Sequence, residues 1–303
     1  MEFRQLKYFA TIVEEGSFTA AARKCGVAQP SLSQQIQNLE NELGESLLKR
    51  NARGVAVTDA GKLVYDRALT MISEEKMLVK SFEDRGSIVR AEVSVGIIPT
   101  IAPSFLPEVL PLFREEFKDI RINVREARTS EQIKLVVDEE VDFAILSDID
   151  ATTKSKYSLH ISKLFEEPIL LAIHYKHRLA DLSRPLEVDE IGSDELLFLS
   201  EGHCLRGQTI TICRAAESAH RTCCEQLPTL LSMVREGLGA TFVPAMFARE
   251  NAMAGVVFKN LRNPSPSRSI NIMKRRGRKL NAVADKLMKL FQTAGAEIAA
   301  VQG

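Results

Sequence analysis

The sequence has no excess of charge of either sign, no long apolar run and few cysteines. Its 303 residues include 40 Lys and Arg and 40 Asp and Glu, a balance that argues against a disordered or polycationic chain. No stretch approaches the roughly 18 apolar residues that would span a membrane, and the first residues lack the apolar core of a signal peptide. The five cysteines form no Cys-x-x-Cys pair. These absences favour a cytoplasmic protein whose thiols stay reduced unless one has a redox task.

A segment near the N-terminus has the pattern of a winged helix-turn-helix. Three alanines at 20–22 let two helices approach closely, Gly26 permits a tight turn, and Pro30 suits the first turn of a second helix that starts near Gln29. Gly44 ends that helix. Its apolar stripe consists of Leu32, Ile36, Leu39 and Leu43. The pattern predicts a DNA-reading domain, with an ordinary surface helix as the alternative.

The opposite face of the second helix carries short hydrogen-bonding side chains suited to the major groove. Two short strands, at 47–50 and 55–57, flank a turn that carries basic residues toward the DNA backbone. The predicted DNA-binding residues are Gln29, Pro30, Ser31, Ser33 and Gln34 in the helix and Lys49, Arg50 and Arg53 in the wing. Residues 1–58 contain seven basic and six acidic residues. Because this domain has little net charge, we expect several subunits to bind DNA together.

A long helix is predicted after the wing, capped by Thr58 and running from residue 59 to about 84. Val64, Met71 and Leu78 repeat at intervals of seven, and Ala68 and Phe82 lie fourteen apart on a neighbouring row. This repeat indicates a dimerisation seam. The alternative is a helix that packs only on its own domain. Residues 84–90 have the composition of a linker.

From residue 92 onward, apolar strands alternate with helices, which predicts an α/β fold with parallel strands. The predicted strands span 93–98, 120–126, 141–146, 168–173, 196–199, 240–243 and 269–273, and the helices span 103–117, 130–139, 228–236 and 280–291. A polar stretch at 148–157 separates two α/β lobes with a cleft between them. Because ligands bind at the carboxyl ends of such strands, we expect the turns at 99–100, 128–129 and 200–204 to face the cleft. Thr129 could also be a simple helix cap.

Taken together, the N-terminal domain, the long helix and the two lobes resemble the LysR-type transcriptional regulators over essentially the whole chain. The resemblance implies a winged helix-turn-helix at 1–58, a linker helix at 59–90 and a two-lobed α/β effector domain at 91–303, similar to periplasmic binding proteins. Lobe I would comprise 91–163 and 268–303, and lobe II 164–267. The family also implies a homo-oligomer, in the form of a dimer of dimers, that binds double-stranded DNA and activates transcription by contacting RNA polymerase. No enzymatic activity, cofactor or metal is expected.

Several motifs resemble the peroxide-sensing branch of this family. They are Gly96-Ile97-Ile98-Pro99-Thr100 with Pro107, Glu126-Ala127-Arg128-Thr129, and Gly202-His203-Cys204-Leu205-Arg206-Gly207-Gln208 with Cys213. The resemblance implies that hydrogen peroxide is the effector, that Cys204 is the peroxidatic cysteine and that Cys213 resolves it. It also implies that Thr100 and Thr129 form part of the peroxide pocket, and that oxidation changes how the subunits contact an imperfect inverted repeat.

The residues around Cys204 are consistent with thiol chemistry. Because the thiolate is the nucleophile, we expect the neighbouring His203 and Arg206 and a helix N-terminus to stabilise the anion. Peroxide would oxidise it to a sulfenic acid, which a second thiol converts to a disulfide. If residues 204–213 are helical, the two ends lie about 13 Å apart, whereas a disulfide needs Cα atoms within about 7 Å. Oxidation must then refold the segment, and the β-branched residues at 209–212 make that refolding easier.

Two residues depart from the pattern of the family. Gly207 stands where an aspartate is common, and Ala28 replaces a frequent serine at the start of the second helix, which removes a cap. Cys223 and Cys224 are adjacent and are expected to pack as small apolar residues. The alternative is that one of them competes with Cys213 for Cys204.

Three other functions remain open. The effector could be a small organic anion in the cleft, with Cys204 merely structural. The chain could sense a metal through soft ligands, namely His203, Cys204, Cys213, His220, Cys223 and Cys224, or it could be a thiol peroxidase. The histidines at 160, 174 and 177 are expected to be solvated or packed. The basic run at 274–279 is interpreted as a solvated loop, with nucleic-acid binding as the alternative.

Overall fold

The structure, a computed structural model, describes residues 1–51, 54–83, 92–149, 151–192, 196–213, 222–262 and 265–302. The chain forms two compact units. The first unit comprises Met1–Val89, Ala151–His160 and Arg275–Asn281, and the second comprises Arg90–Asp150, Ile161–Lys274 and Ala282–Gly303. Within the described residues, no helix is both long and apolar enough to cross a bilayer.

The first unit contains the predicted winged helix-turn-helix. Its elements are α1 (Phe3–Glu15), α2 (Phe18–Lys24), α3 (Gln29–Leu43), β1 (Leu48–Asn51), β2 (Gly54–Val57), α4 (Asp59–Glu83) and, later in the chain, α7 (Ala151–Lys156). The second helix of the motif begins and ends where the sequence predicts, because Pro30 lies in its first turn and Gly44 adopts a left-handed conformation after it. Leu32, Ile36 and Leu39 are buried against α1 and α2. Three of the four residues of the predicted apolar stripe therefore belong to the core of this unit, whereas the prediction for Leu43 is wrong, because it is 42% exposed.

Helix α4 begins as predicted, because the Thr58 hydroxyl accepts a hydrogen bond from the backbone N–H of Gly61 at 2.9 Å. The prediction that Ala68 lies in a dimerisation row is wrong. Ala68 is fully buried in the core of the unit beside Tyr65 and Leu69, because the first half of α4 packs on α1. Among the side chains of α4 that the structure describes, the exposed large apolar ones are Leu63, Met71, Leu78 and Val79. The predicted linker at 84–90, like Arg53 of the wing, lies outside the described residues, as does the side chain of Phe82.

The second unit has the predicted two-lobed α/β architecture. Its first elements are β3 (Glu92–Ile97), α5 (Ala102–Glu116), β4 (Arg121–Glu126), α6 (Thr129–Val137), β5 (Phe143–Leu146) and β6 (Leu159–His174). Strand β3 pairs in parallel with both β4 and β5. The polar stretch predicted at 148–157 is wrong in part, since it contains helix α7, and the strand predicted at 168–173 begins nine residues earlier, at Leu159.

The remaining elements complete the second lobe and return to the first. They are β7 (Leu186–Glu187), a 3₁₀ turn (Val188–Glu190), β8 (Phe198–Leu199), α8 (Cys204–Cys213), β9 (Cys223–Cys224), α9 (Leu227–Arg235), β10 (Thr241–Pro244), α10 (Ala245–Glu250), β11 (Val256–Lys259), β12 (Leu261–Arg262), β13 (Ser267–Arg275) and α11 (Ala282–Gln302). The long strands β6 and β13 are neighbours in a sheet ordered β10-β6-β13-β5-β3-β4. These two strands therefore join the sheet of one lobe to that of the other.

Candidate functional site

The three turns predicted to face the cleft meet around Cys204. Thr100 follows β3 and is buried, Thr129 is the first residue of α6, and Cys204 is the first residue of α8. The Thr129 hydroxyl lies close enough to the thiol to lower its pKa. Its oxygen is buried without a conventional hydrogen bond to the described residues. Thr129 is not a helix cap, because Arg128 occupies the cap position. The alternative reading of this threonine is therefore wrong.

A buried arginine links the turn after β3 to the second lobe. Arg268, near the start of β13, donates through Nη1 to Thr100 Oγ1 at 2.8 Å and through Nη2 to the Thr100 carbonyl at 3.1 Å. Its Nε donates to Glu167 Oε2 at 2.8 Å, and both side chains are at most 1% exposed. Glu167 also accepts a hydrogen bond from the backbone N–H of Met246. A buried charge pair of this kind is tolerated when further hydrogen bonds satisfy the two groups, and here each of the three side-chain nitrogens of Arg268 has a partner.

The surroundings of Cys204 act on its ionisation in two opposite directions. Burial raises the pKa of the thiol, and the positive charge of Arg268 is the largest influence in the other direction. The backbone N–H of Leu205 and the hydroxyl of Thr129 lower the pKa further. The resting side chain is therefore a thiol with an arginine and two hydrogen-bond donors placed to favour the anion once it forms.

The expectation that His203 and Arg206 supply the stabilising charge is wrong. Burial lowers the pKa of His203, so its ring is neutral at pH 7. Arg206 donates through Nη1 to the Leu199 carbonyl at 2.9 Å, and its guanidinium lies 5.8 Å from the centre of the Phe198 ring. Arg206 therefore anchors the end of β8, and the cation that acts on the thiol comes from a distant part of the sequence.

The turn before Cys204 is held by a charged contact between the lobes. Arg128 donates a hydrogen bond to Glu225, which holds the pKa of that carboxyl below its usual range. Glu225 Oε2 lies 3.5 Å from Nε2 of His203. Gly202 has a φ of +88°, and a Cβ there would lie 3.1 Å from Cδ of Arg128. Glycine therefore serves two needs at this position, a left-handed backbone and a close approach to Arg128.

Gln208 tethers helix α8 to the first lobe. Gln208 Nε2 donates to Ser147 Oγ and to Asp148 Oδ2, each at 2.9 Å, just after β5. Elsewhere the helix is weakly built. Gly207 lies in its interior, and the hydroxyls of Thr209 and Thr211 donate to carbonyls four residues earlier. Such back-bonding competes with the helix, and an interior glycine costs about 0.5–1 kcal/mol relative to alanine.

The helix keeps the two cysteines of the motif apart. Residues 204–213 form one continuous α-helix, in which nine steps of 1.5 Å separate the terminal Cα atoms by about 13 Å. Cys204 is a free thiol, whereas the side chain of Cys213 lies outside the description. A disulfide between them needs the helix to unwind, because it requires Cα atoms within about 7 Å.

The other sulfur and histidine residues form no second site in the part of the chain that is described. Cys224 packs partly against the core of the second lobe, as expected, whereas Cys223 is exposed. No group of three histidine, cysteine or acidic residues is arranged to hold a metal within the described ranges. His220 falls outside those ranges.

The DNA-reading helix presents the predicted polar face. Pro30, Ser31 and Gln34 are exposed, while Gln29 and Ser33 are half-buried and bonded to each other, with Gln29 Nε2 donating to Ser33 Oγ at 3.0 Å. Ala28 occupies the cap position of α3 and makes no side-chain cap. In the wing, Lys49 is exposed, and the side chain of Arg50 is not described.

The sequence did not predict the roles of four residues of the site, namely Glu167, Gln208, Glu225 and Arg268. A buried arginine next to an acid has no local sequence signature, and Arg268 is 168 residues from Thr100. Gln208 was part of a quoted motif, but its partners on the other lobe were not predictable from that motif. The only sequence signal near these residues is the predicted position of the cleft-facing turns.

Comparison with known proteins gives matches along nearly the whole chain. Residues 3–62 match the family described as bacterial regulatory helix-turn-helix protein, lysR family, and residues 88–296 match the LysR substrate binding domain. The OxyR protein of Escherichia coli K12, a DNA-binding transcriptional dual regulator, is 34% identical over 296 residues, which cover 96% of this chain and 95% of that protein.

Two further similarities are of the same kind. The hydrogen peroxide-inducible genes activator of Pectobacterium carotovorum is 34% identical over 291 residues, covering 95% of this chain and 94% of the relative. The solved structure of a cysteine-to-serine mutant of Corynebacterium glutamicum OxyR with hydrogen peroxide bound has a TM-score of 0.59 and 28% identity, and the match covers 99% of this chain and 96% of that one. The predicted fold class is confirmed.

Proposed function

This chain belongs to the LysR family of bacterial helix-turn-helix transcriptional regulators, and we propose that it senses hydrogen peroxide through Cys204 and changes its contacts with DNA in response. The observation that carries the proposal is the position of Cys204. It begins a weak helix, lies beside the hydroxyl of Thr129, which makes no conventional hydrogen bond to the described residues, and is within the electrostatic reach of Arg268. Relatives that are 34% identical are named as peroxide-inducible activators.

The proposed reaction uses only the thiols and the peroxide. The Cys204 thiol loses its proton, the sulfur attacks one peroxide oxygen, and the O–O bond breaks to release hydroxide, which takes up a proton to become water. The sulfur is now a sulfenic acid. The Cys213 thiol then attacks this sulfur, the S–S bond forms, and the S–O bond breaks to release a second water. Two thiols are oxidised to one disulfide while one peroxide is reduced to two waters.

The protein's part is to hold the reacting atoms and to prepare the second step. Thr100 fixes Arg268, and Arg268 favours the anionic sulfur against the cost of burial. Thr129 has a free hydroxyl oxygen at the same place, where a peroxide hydroxyl can donate to it. Helix α8 then has to unwind, which its interior Gly207 and back-bonded threonines favour.

The DNA-binding and assembly proposals rest on the first unit. The polar face of α3 and the wing would contact double-stranded DNA through the eight residues predicted from the sequence. Leu63, Met71, Leu78 and Val79 are exposed on α4, and we propose that a second copy covers them in the dimer, with a dimer of dimers on the operator. The division at residues 58 and 90, the lobe boundaries, activation and contact with RNA polymerase belong to the same proposal.

The main alternative is a small organic anion as effector. Anion binding in the cleft would need a cation with unused donors. Arg268 is buried and engages Thr100 and Glu167 through all three of its nitrogens, and His203 is neutral at pH 7. The hydrogen bonds that Arg268 already makes therefore favour the peroxide proposal over an anion bound by Arg268.

The test is a footprint of the full-length protein on DNA selected from a random library, before and after stoichiometric peroxide. We expect the footprint of the wild type to change, that of Cys204→Ser to stay as in the reduced protein, and that of Cys223→Ser to behave like the wild type. Cys223 is a suitable control because it is an exposed thiol in the same lobe. A full peroxide response in Cys204→Ser would overturn the proposal and favour an effector that needs no thiol.

A further inference from the structure

The basic run near the end of the sequence has a role that the proposed function leaves unused. Its residues 275–279, which we call the basic loop, begin at Arg275, the last residue of strand β13, and belong to the first unit. The interpretation of this run as a solvated loop is right only in part, because Arg276 and Lys279 are exposed, whereas the side chain of Arg275 is 13% exposed. Three cations of the basic loop, Arg275, Arg276 and Lys279, are paired with acidic residues of α1 and α4, which argues against its use as a nucleic-acid contact.

The contact with α1 is the most buried of these pairs. Arg275 Nη2 lies 2.7 Å from Glu14 Oε1, with side chains that are 13% and 24% exposed. Glu14 is near the C-terminal end of α1, and its other carboxylate oxygen lies 3.9 Å from Nζ of Lys24 in the last turn of α2. The carboxylate of Glu14 thus sits between the basic loop and the helix-turn-helix. Ion pairs that are largely withdrawn from water are screened much less than surface pairs.

The contacts with α4 are made by backbone and charge together. Gly277 has a φ of +78°, and a Cβ there would lie 3.0 Å from both the Leu69 Cβ and the Thr70 backbone nitrogen. Two exposed pairs add to this contact, Arg276 with Asp66 at 3.6 Å and Lys279 with Glu74 at 2.7 Å. Exposed pairs contribute little on their own, so the close glycine contact and the Arg275 pair define this docking.

The basic loop also contacts the segment around Ser158. The backbone N–H of Arg276 donates to the Ser158 carbonyl at 2.8 Å. The Ser158 side chain is hydrogen-bonded to Tyr65 of α4, whose burial raises the pKa of the phenol to about 12. The phenol is therefore neutral at physiological pH and adds no charge to the surface on which the loop lies.

The basic loop is covalently connected through β13 to the surroundings of Cys204. Strand β13 carries Arg268 near its start and Arg275 at its end, separated by roughly 23 Å of extended chain. Arg268 is the charge that acts on Cys204. We propose that β13 and the basic loop form a latch, in which oxidation of Cys204 displaces Arg268 and thereby loosens the Arg275–Glu14 pair on the DNA-reading unit. This inference rests on the proposed function.

The test compares three variants of the full-length protein, Arg275→Met, Arg275→Lys and the control Arg262→Met, which removes an exposed pair with Glu187 in the second unit. Cys204 oxidation is followed by mass spectrometry, and DNA affinity is measured before and after peroxide. We expect all three to oxidise at the wild-type rate. In Arg275→Met the effect of oxidation on DNA affinity should shrink by roughly fivefold, within the usual range of coupling between sites, whereas Arg275→Lys should retain most of it.

Normal oxidation with an undiminished DNA response in Arg275→Met would overturn the latch and leave the proposed function intact. Failure of wild-type Cys204 to react would instead overturn the proposed function. Hydrogen exchange of the peptide covering residues 275–281 tests the latch without peroxide. We expect slow exchange at the Arg276 amide in the reduced wild type and faster exchange in Arg275→Met. Fast exchange in the reduced wild type would overturn the latch.

Discussion

Helices α3 and α8 are built for opposite purposes. Helix α3 buries three large aliphatic side chains and ends at a left-handed glycine. Helix α8 buries one leucine, Leu205, contains Gly207 in its interior and carries two threonines bonded to their own helix. Isolated helices shorter than about 12–15 residues are only marginally stable in water. Packing against the rest of the protein therefore decides how stable each of the two helices is.

The difference in buried side chains indicates that α8 costs less free energy to unwind than α3. Under the proposed function, α3 has to keep its side chains in a fixed pattern to match base edges, and its buried aliphatic side chains provide that rigidity. Under the proposed function, α8 has to bring residue 213 toward residue 204, and a helix with few buried side chains lowers the free-energy cost of that motion. The predictions below separate rigidity in α3 from adaptability in α8.

Leu32→Ala should have the largest effect on the reading helix. Leu32 is fully buried, and truncation of such a leucine costs about 2–5 kcal/mol through lost burial and the cavity that remains. We expect this loss in urea denaturation of the full-length protein, with weakened DNA binding. Leu43→Ala in the same helix is the matched control, because Leu43 is 42% exposed, and it should cost less than about 1 kcal/mol. Equal losses in the two variants would contradict the assignment of the core.

The rate of Cys204 oxidation should depend steeply on pH. Because the pKa of the thiol is raised and the thiolate is the nucleophile, the rate should rise about tenfold per pH unit between pH 6 and 8. No plateau is expected below pH 9, the ordinary pKa of this thiol. The folded state holds the proton more tightly than the unfolded chain, so this group's contribution to stability is complete below pH 9 and is lost as the pH rises through the folded pKa. A plateau near pH 6 would contradict the effect of burial.

Gly207→Ala should slow the second redox step without affecting the first. A Cβ at this position meets no atom within 4 Å, so alanine should stabilise α8 by about 0.5–1 kcal/mol. That stability must be given up on unwinding, which corresponds to roughly two- to fivefold slower disulfide formation. Quenched-flow mass spectrometry would measure sulfenic acid and disulfide separately. Unchanged disulfide kinetics in a measurably stabilised protein would argue that α8 does not unwind before the bond forms.

Ala28→Ser should have the smallest effect on the redox response and is the counterpart of Gly207→Ala. The new hydroxyl would cap α3, which Ala28 leaves uncapped, and should add about 0.5–1 kcal/mol to the stability of the first unit. Thermal denaturation would detect this gain, and both redox steps should keep their wild-type rates. A slower disulfide in this variant would mean that helix stability anywhere in the chain limits the reaction, which would remove the distinction between α3 and α8.

The sequence predicted the elements that local chemistry determines and missed those that depend on distant partners. The bounds of α3 follow from Pro30 and Gly44, and the start of α4 follows from Thr58. The buried position of Ala68 was not predictable, because seven-residue spacing describes a dimer seam and a core stripe equally well. The same limit explains the error about charge at Cys204. His203 and Arg206 are its neighbours in sequence, but the active cation arrives on β13, whose position only the sheet order reveals.

The decisive measurement for the proposed function is the identity of the thiol to which Cys204 becomes linked after oxidation. Full-length reduced protein would be treated briefly with one equivalent of hydrogen peroxide, alkylated, digested without reductant and mapped by mass spectrometry. The account predicts one new cross-linked peptide, joining residue 204 to residue 213. An unreacted sulfur at 204, or a cross-link from it to Cys223 or Cys224 in place of Cys213, would contradict the account.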